Sequence, residues 1–153
     1  MQLINPKRIT GVLLTCILLA TAAFAQNPNQ GDRRCNLSTL RGSYGYVIQG
    51  GVFDSSDPTF NTHFPFAGIG RITFDGQGGA TGTELVNFAG FFIDRVYTGT
   101  YTIQPDCTGI FRRVEVPASN SVVRFVVVDN AKQIYFMQID NPDAAITGTA
   151  TKQ

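Results

Sequence analysis

The sequence predicts an all-β fold: an antiparallel up-and-down barrel of about eight strands with a short helical turn at its N-terminal edge. Three observations carry this reading. Apolar and aromatic residues alternate with polar ones in short runs from Ser43 onward. Turn signals rich in Gly, Pro, Asn and Asp divide those runs at intervals of roughly 8–12 residues. No stretch after Arg41 carries the apolar period of an amphipathic helix, so crossovers are missing and neighbouring strands run antiparallel. A β-sandwich is the alternative.

Taken in order, residues 1–25 read as a secretory leader. Lys7 and Arg8 form its basic start, Val12 to Ala20 its apolar run, and Ala23-Phe24-Ala25 a cleavage signal before Gln26. The run is shorter than the ~20 apolar residues a spanning helix needs. A secreted or periplasmic chain, cleaved after Ala25 and not membrane-spanning after leader removal, is expected. Residues 26–34 are polar and read as a flexible tail. Residues 35–153 form the barrel domain. It opens on Leu37 and Leu40, three apart behind Asn36 as an N-cap, which fits one helical turn with both leucines against the core.

Strands follow over 43–52, 64–74, 80–88, 91–103, 107–116, 122–128, 133–139 and 145–151. The first places Tyr44, Tyr46 and Ile48 on one face; the second sets Phe64, Phe66, Ile72 and Phe74 against Arg71 and Thr73. Asp75-Gly76-Gln77-Gly78-Gly79 is a hairpin signal, because glycine supplies the positive φ that tight turns require. Val122 to Val128 is nearly continuous valine and phenylalanine and should be central. Gly82, Gly99 and Gly148 each lie between two threonines inside a strand. Glycine weakens a strand there unless the sheet must bend, and bending closes a barrel. Closure also removes exposed edges.

Several blocks carry a resemblance. They are Cys35-Asn36-Leu37 leading to Leu40-Arg41-Gly42-Ser43-Tyr44-Gly45, and Gly70-Arg71-Ile72-Thr73-Phe74-Asp75-Gly76. Gly99-Thr100-Tyr101-Thr102 with Asp106-Cys107-Thr108-Gly109, and Thr147-Gly148-Thr149-Ala150, complete them. Together they resemble small secreted bacterial proteins of unknown function, which are similar in plan to lipocalin-like and allene oxide cyclase-like barrels. The resemblance implies a barrel with a lumen, not an activity.

Composition narrows the function. Only 15% of residues are charged and the formal charge is +1, so there is no electrostatic footprint for nucleic acid. Outward candidates Arg71, Thr73, Thr81, Thr83 and Arg113 deny an outer-membrane barrel its apolar band. With Cys16 in the leader, Cys35 and Cys107 remain as an even pair in an oxidising compartment, and a disulfide is favoured. A metal site built from both thiolates and His63 would lack a fourth ligand and the close cysteine spacing of zinc sites, so no metal is assigned.

The catalytic inventory is thin. His63 is the single histidine, and no Gly-x-Ser-x-Gly elbow presents a nucleophile. One carboxylate in Asp75 to Gly79 is too few for calcium, and the glycines open no helix that would cradle phosphate. No catalytic residue and no cofactor are assigned, and the reading leans away from an enzyme.

Binding is the stronger reading. Glu84 shares a predicted face with Val86 and Phe88; Arg112 alternates with Ile110 and Val114, which turns Arg113 the other way. A charge on an apolar interior needs a partner. Glu84 and Arg112, with Tyr46 and Gln138, are therefore expected to form a polar patch in the lumen that binds a small apolar or amphipathic molecule. Glu84 and Glu115 are the only glutamates, and nothing in their spacing pairs them. Two rivals stand beside this. One is an interaction module acting through the loop at 54–62, which carries Phe60; the other is a cyclase-like enzyme using Glu84 or Tyr46.

Overall fold

The computed structural model describes residues 34–56, 59, 62–116 and 120–153. The leader reading at 1–25 and all of the tail except Arg34 lie outside the described residues, as does Phe60 of the 54–62 loop. A 3-10 turn at Leu37–Thr39 leads into eight strands. They are β1 (Arg41–Phe53), β2 (His63–Asp75), β3 (Gly79–Phe88), β4 (Phe91–Ile103), β5 (Thr108–Val116), β6 (Asn120–Val128), β7 (Gln133–Gln138) and β8 (Ala144–Lys152). Each pairs antiparallel with the next, and β8 returns to β1, so the sheet is a closed barrel rather than a sandwich. Closure is direct: Tyr46 faces Ala150 and Ile48 faces Gly148 across the seam.

Up-and-down order gives the barrel two unlike ends. At one end lie the β2–β3, β4–β5 and β6–β7 turns together with the N-terminal turn. Leu40 is fully buried there, and the Tyr101 hydroxyl donates to the carbonyls of Leu37 and Leu40 at 2.9 and 3.0 Å. Cys35 is bonded to Cys107, with Cα atoms 5.0 Å apart, so the N-terminal turn is stapled to the start of β5. Tyr44, Phe74 and Tyr101 stack edge to face behind this cap at 5.6 and 5.1 Å, the geometry that aromatic quadrupoles favour. The Tyr44 hydroxyl donates to the Ala131 carbonyl at 2.7 Å, so the buried phenol is satisfied. This end is a cap.

At the other end lie the β1–β2, β3–β4, β5–β6 and β7–β8 connections. Here inward-facing aromatics are not fully covered. Phe66 and Phe88 are half-buried, while Phe64 and Phe91 are exposed. Phe64 and Phe88 lie 5.9 Å apart, and Phe66 and Phe88 6.4 Å, forming an aromatic lip around a mouth.

Four of the in-strand glycines make room for aromatic rings of the neighbouring strand. Gly82 lies directly opposite Tyr97, and Gly70 opposite Tyr46. A Cβ at Gly82 would collide with the Tyr97 ring, and one at Gly70 with the Tyr46 ring. Gly109 holds Phe125 and Gly148 holds Phe136 in the same way. Each of these four glycines is the seat of a ring from the neighbouring strand, which lets large aromatics lie flat in a narrow lumen. Gly82→Ala should destabilise the fold by about 1–3 kcal/mol through overpacking, measurable by chemical denaturation.

One strand face is the reverse of the expectation. In β5, Phe111 and Glu115 are buried and Arg113 lies with them, while Arg112 is exposed and Val114 is 53% exposed. Arg112 is thus outside the barrel and Arg113 inside. The physical reason is that Phe111 needs the seat at Gly99 and Arg113 needs the interior carboxylates; leaving one valine in water costs far less. Arg71, Thr73, Thr81 and Thr83 face outward as expected.

Candidate functional site

Between the mouth and the capped end, the lumen is crossed by a band of charge. Glu84 on β3, Arg95 on β4, and Arg113 and Glu115 on β5 converge from neighbouring strands. Register places them: Glu84 is directly opposite Arg95, and Tyr97 opposite Glu115. Arg113 Nη2 donates to Glu84 Oε1 at 2.7 Å and lies 3.0 Å from Glu115 Oε1. Arg95 Nη1 donates to Glu115 Oε2 at 2.8 Å and lies 3.6 Å from Glu84 Oε1. Each guanidinium thus bridges both carboxylates. Two positive and two negative charges close a neutral quartet.

Phenols and a hydroxyl complete it. The Tyr46 hydroxyl donates to Glu84 Oε2 at 2.7 Å, and Ser121 Oγ donates to Glu115 Oε1 at 3.3 Å. The Arg113 guanidinium lies 4.2 Å from the centroid of the Tyr97 ring, a cation–π contact strengthened by the dry surroundings. Both glutamate side chains are almost fully buried; Arg113 is nearly so, and Arg95 reaches toward the mouth. Burial opposes the charge on Arg113, but Glu84 and Glu115 outweigh it and raise its pKa above the ordinary arginine value. Gathering four ions inside an apolar barrel is costly even when all are paired, so such a set is weak evidence of stabilisation. A specific use is the better account of it.

Two unfilled spaces flank the quartet. On the capped side is a cavity of about 50 Å³ walled by rings and aliphatic groups, among them Tyr46, Tyr97, Phe125, Phe136 and Ala150. On the mouth side is one of about 30 Å³ that reaches Phe66, Ser121, Gln138 and all four ions. Arg113 lines both.

Of the four binding residues expected from sequence, Tyr46 and Glu84 are bonded to one another, Gln138 lines the mouth-side space, and Arg112 is on the outer surface. Sequence reading missed Arg95, Arg113, Glu115, Tyr97 and Ser121 as members of the site. A signal for Arg95 was present: a two-residue turn at Ala89-Gly90 fixes the β3–β4 register and sets Glu84 against it. Among the described residues no group of three or more His, Cys, Asp or Glu is placed to hold a metal ion, and no helix is long and apolar enough to cross a membrane.

The buried phenols give the site a pH signature. Burial pushes the Tyr97 phenol up to about 12, against the lowering pull of the Tyr46 hydroxyl and Arg113. Burial also raises the pKa of Tyr46, and Tyr97 and Glu84 add to the rise. A phenol raised above its unfolded value of ~10 contributes stability that is complete below that pH and is lost as pH rises through the folded value. For Tyr97 the window therefore runs up to about 12. In an alkaline titration followed by phenolate absorbance, these two tyrosines should ionise only together with unfolding.

No family model matches the chain, and no curated protein matches it. Solved structures do. A redesigned β-barrel, mFAP1, bound to DFHBI matches with a TM-score of 0.55 at 10% identity, covering 76% of this chain and 98% of that one. EF1p2_mFAP2b bound to DFHBI matches with a TM-score of 0.55 at 12% identity, over 80% and 98%. A further redesigned barrel, b11L5F_LGL, gives 0.54 at 11%, over 77% and 95%. At such identities the likeness is one of fold, and the shared fold is the closed eight-stranded antiparallel barrel.

Proposed function

We propose that this chain is an exported barrel that holds a small amphipathic molecule in its lumen. The observation that carries the reading is the pair of unfilled spaces meeting at Arg113, one apolar and one ion-lined, beneath an aromatic mouth. Apolar walls with a few convergent polar groups are the usual make-up of a small-molecule site, and at about 50 and 30 Å³ the two spaces must widen, with the mouth-side rings moving, to admit one. The ligand's apolar part packs among Tyr46, Phe125 and Phe136, and its polar part meets the quartet. Two solved structures of similar fold, the redesigned barrel mFAP1 and EF1p2_mFAP2b, are bound to DFHBI, and the lipocalin-like resemblance points the same way. The Cys35–Cys107 bond supports export, since disulfides persist in oxidising compartments.

Amide and methyl chemical-shift mapping with a panel of one-ring amphipathic compounds tests the reading. Shifts confined to inward-facing residues such as Tyr46, Phe136 and Ala150 are expected. Shifts confined to the outer face, or none with any compound, overturn it.

A further inference from the structure

An arc of exposed apolar side chains runs along one side of the mouth, outside the lumen. Phe91 and Phe92 stand at the β3–β4 tip, 73% and 71% exposed, more than any other large apolar residue among those described. The tip is built rather than loose. Ala89 and Gly90 take the positive φ of a tight hairpin turn, the Gly90 N–H donates to Asn87 Oδ1 at 2.8 Å, and the Ala89 N–H donates to the Pro65 carbonyl at 2.9 Å. From there the arc passes through Phe88 and Phe64, whose rings are 5.9 Å apart, to Phe53. The Phe53 N–H donates to the Asp143 carbonyl at 2.7 Å, which joins the β7–β8 connection and its exposed Ile139 to the arc. Neither ring at the tip belongs to the core, and contiguous exposed apolar surface marks a place of interaction.

Charge decides what the arc fits. Carboxylates adjoin its apolar groups: Asp94 is two residues from Phe92 on the outer face of β4, Asp54 follows Phe53, Asp143 is bonded to Phe53 through the backbone, and Asp140 follows Ile139. Among the described residues of the mouth connections there is no lysine or arginine, and Arg95 turns inward to Glu84 and Glu115. The remaining ionisable group of the arc is His63, whose ring lies 6.2 Å from that of Phe53. Such a surface complements apolar side chains flanked by lysine or arginine. It does not complement itself, since a second copy set mouth to mouth would oppose carboxylate with carboxylate. Nor does it complement an anionic bilayer, because such surfaces draw in basic residues. A handful of side chains also falls short of the ~800 Å² per partner of a standard stable interface, so the occupant is a short segment. We infer that the mouth arc docks a basic amphipathic segment of another protein, with Phe91 and Phe92 as aromatic anchors and the four aspartates facing its cations. This surface lies outside the lumen and does not depend on what the lumen holds.

The probes are two helical peptides of about twelve residues with leucine along one face; the other face is lysine in one and glutamate in the second. Each is titrated at pH 7 into the disulfide-bonded chain, with amide shifts locating the contact. The lysine peptide should bind with shifts at Phe53 and at residues 89–94 and 139–143. The glutamate peptide should bind at least ~10-fold more weakly, since like charges then face one another. Phe91→Ser with Phe92→Ser should weaken the lysine peptide at least ~10-fold, the effect of losing aromatic anchors, and leave thermal stability nearly unchanged because both rings are exposed. Asp94→Asn with Asp140→Asn should weaken it less and flatten the fall of affinity with added salt. Equal binding of the two peptides overturns the basic class of partner. No binding of the lysine peptide, shifts away from the arc, or undiminished binding to the double phenylalanine variant overturns the docking surface. A concentration-dependent dimer, or binding to phosphatidylcholine vesicles, that the same variant abolishes makes a second copy or a bilayer the occupant and overturns the protein partner.

Discussion

Arg113→Leu is expected to lower the stability of the folded chain by about 3–5 kcal/mol, the usual penalty for removing one partner of a buried ion pair. The change leaves Glu84 and Glu115 buried with Arg95 alone between them. Arg112→Leu, one residue away on the exposed side of β5, should stay within about 0.5 kcal/mol. The two neighbours make a sharp contrast, readable by urea denaturation. A second change, Glu84→Gln, in the Arg113→Leu background should recover part of the loss, because it removes one of the two stranded charges. The same Glu84→Gln change in the native background should be destabilising. That change of sign is the coupling a double-mutant cycle measures. Equal effects at Arg112 and Arg113 would show that the quartet does not lie inside the barrel.

The second large effect belongs to the disulfide. The bond joins residues separated by 72 positions, and closing a loop of that length stabilises by about 4 kcal/mol on the chain-entropy model. Cys35→Ala with Cys107→Ala should therefore lower the midpoint of thermal unfolding by roughly 10–20 °C. The effect should be matched by reduction of the native chain. It should also loosen the cap first, since Leu40 and the Tyr101 hydroxyl hold the N-terminal turn against the barrel. Faster amide exchange at Leu37–Leu40 than at Tyr46 or Ile48 in the reduced chain checks that order.

Much of this fold was legible in the sequence, and the reasons are local. Alternation in β1 and β2 placed Tyr44, Tyr46, Ile72 and Phe74 inside because Ser43, Gly45, Arg71, Thr73 and Asp75 lie on the other face, where Val47 is the apolar exception. Turn chemistry at Asp75 to Gly79 was legible because one carboxylate, Asp75, caps the backbone N–H groups of Gln77, Gly78 and Gly79. In β5 the same method fails. In Ile110-Phe111-Arg112-Arg113-Val114-Glu115 one face carries Ile110 and Val114 around Arg112 and the other Phe111 with Arg113 and Glu115, so local alternation favours the wrong side. What decides is non-local: a glycine on β4 that seats Phe111, and the Glu84 carboxylate on β3 that requires Arg113. The glycines show the same limit. Their presence in strands was evident, but the ring each one holds comes from the neighbouring strand, and only cross-strand register reveals the pair. The candidate site was half legible for the same reason. Glu84, Tyr46 and Gln138 followed from faces, while Arg95, Arg113 and Glu115 needed strand pairing.

Lumen binding is tested most directly by native mass spectrometry of the chain exported from a bacterial host, alongside the variant Ala150→Leu. Ala150 is buried and walls the apolar space, so the larger side chain fills it while leaving the quartet and the mouth unchanged. The expected result is a defined added mass on the native chain that is lost on denaturation, and a bare Ala150→Leu chain that still folds. A native chain that emerges bare, or the same added mass on both proteins, would contradict a ligand held in the lumen.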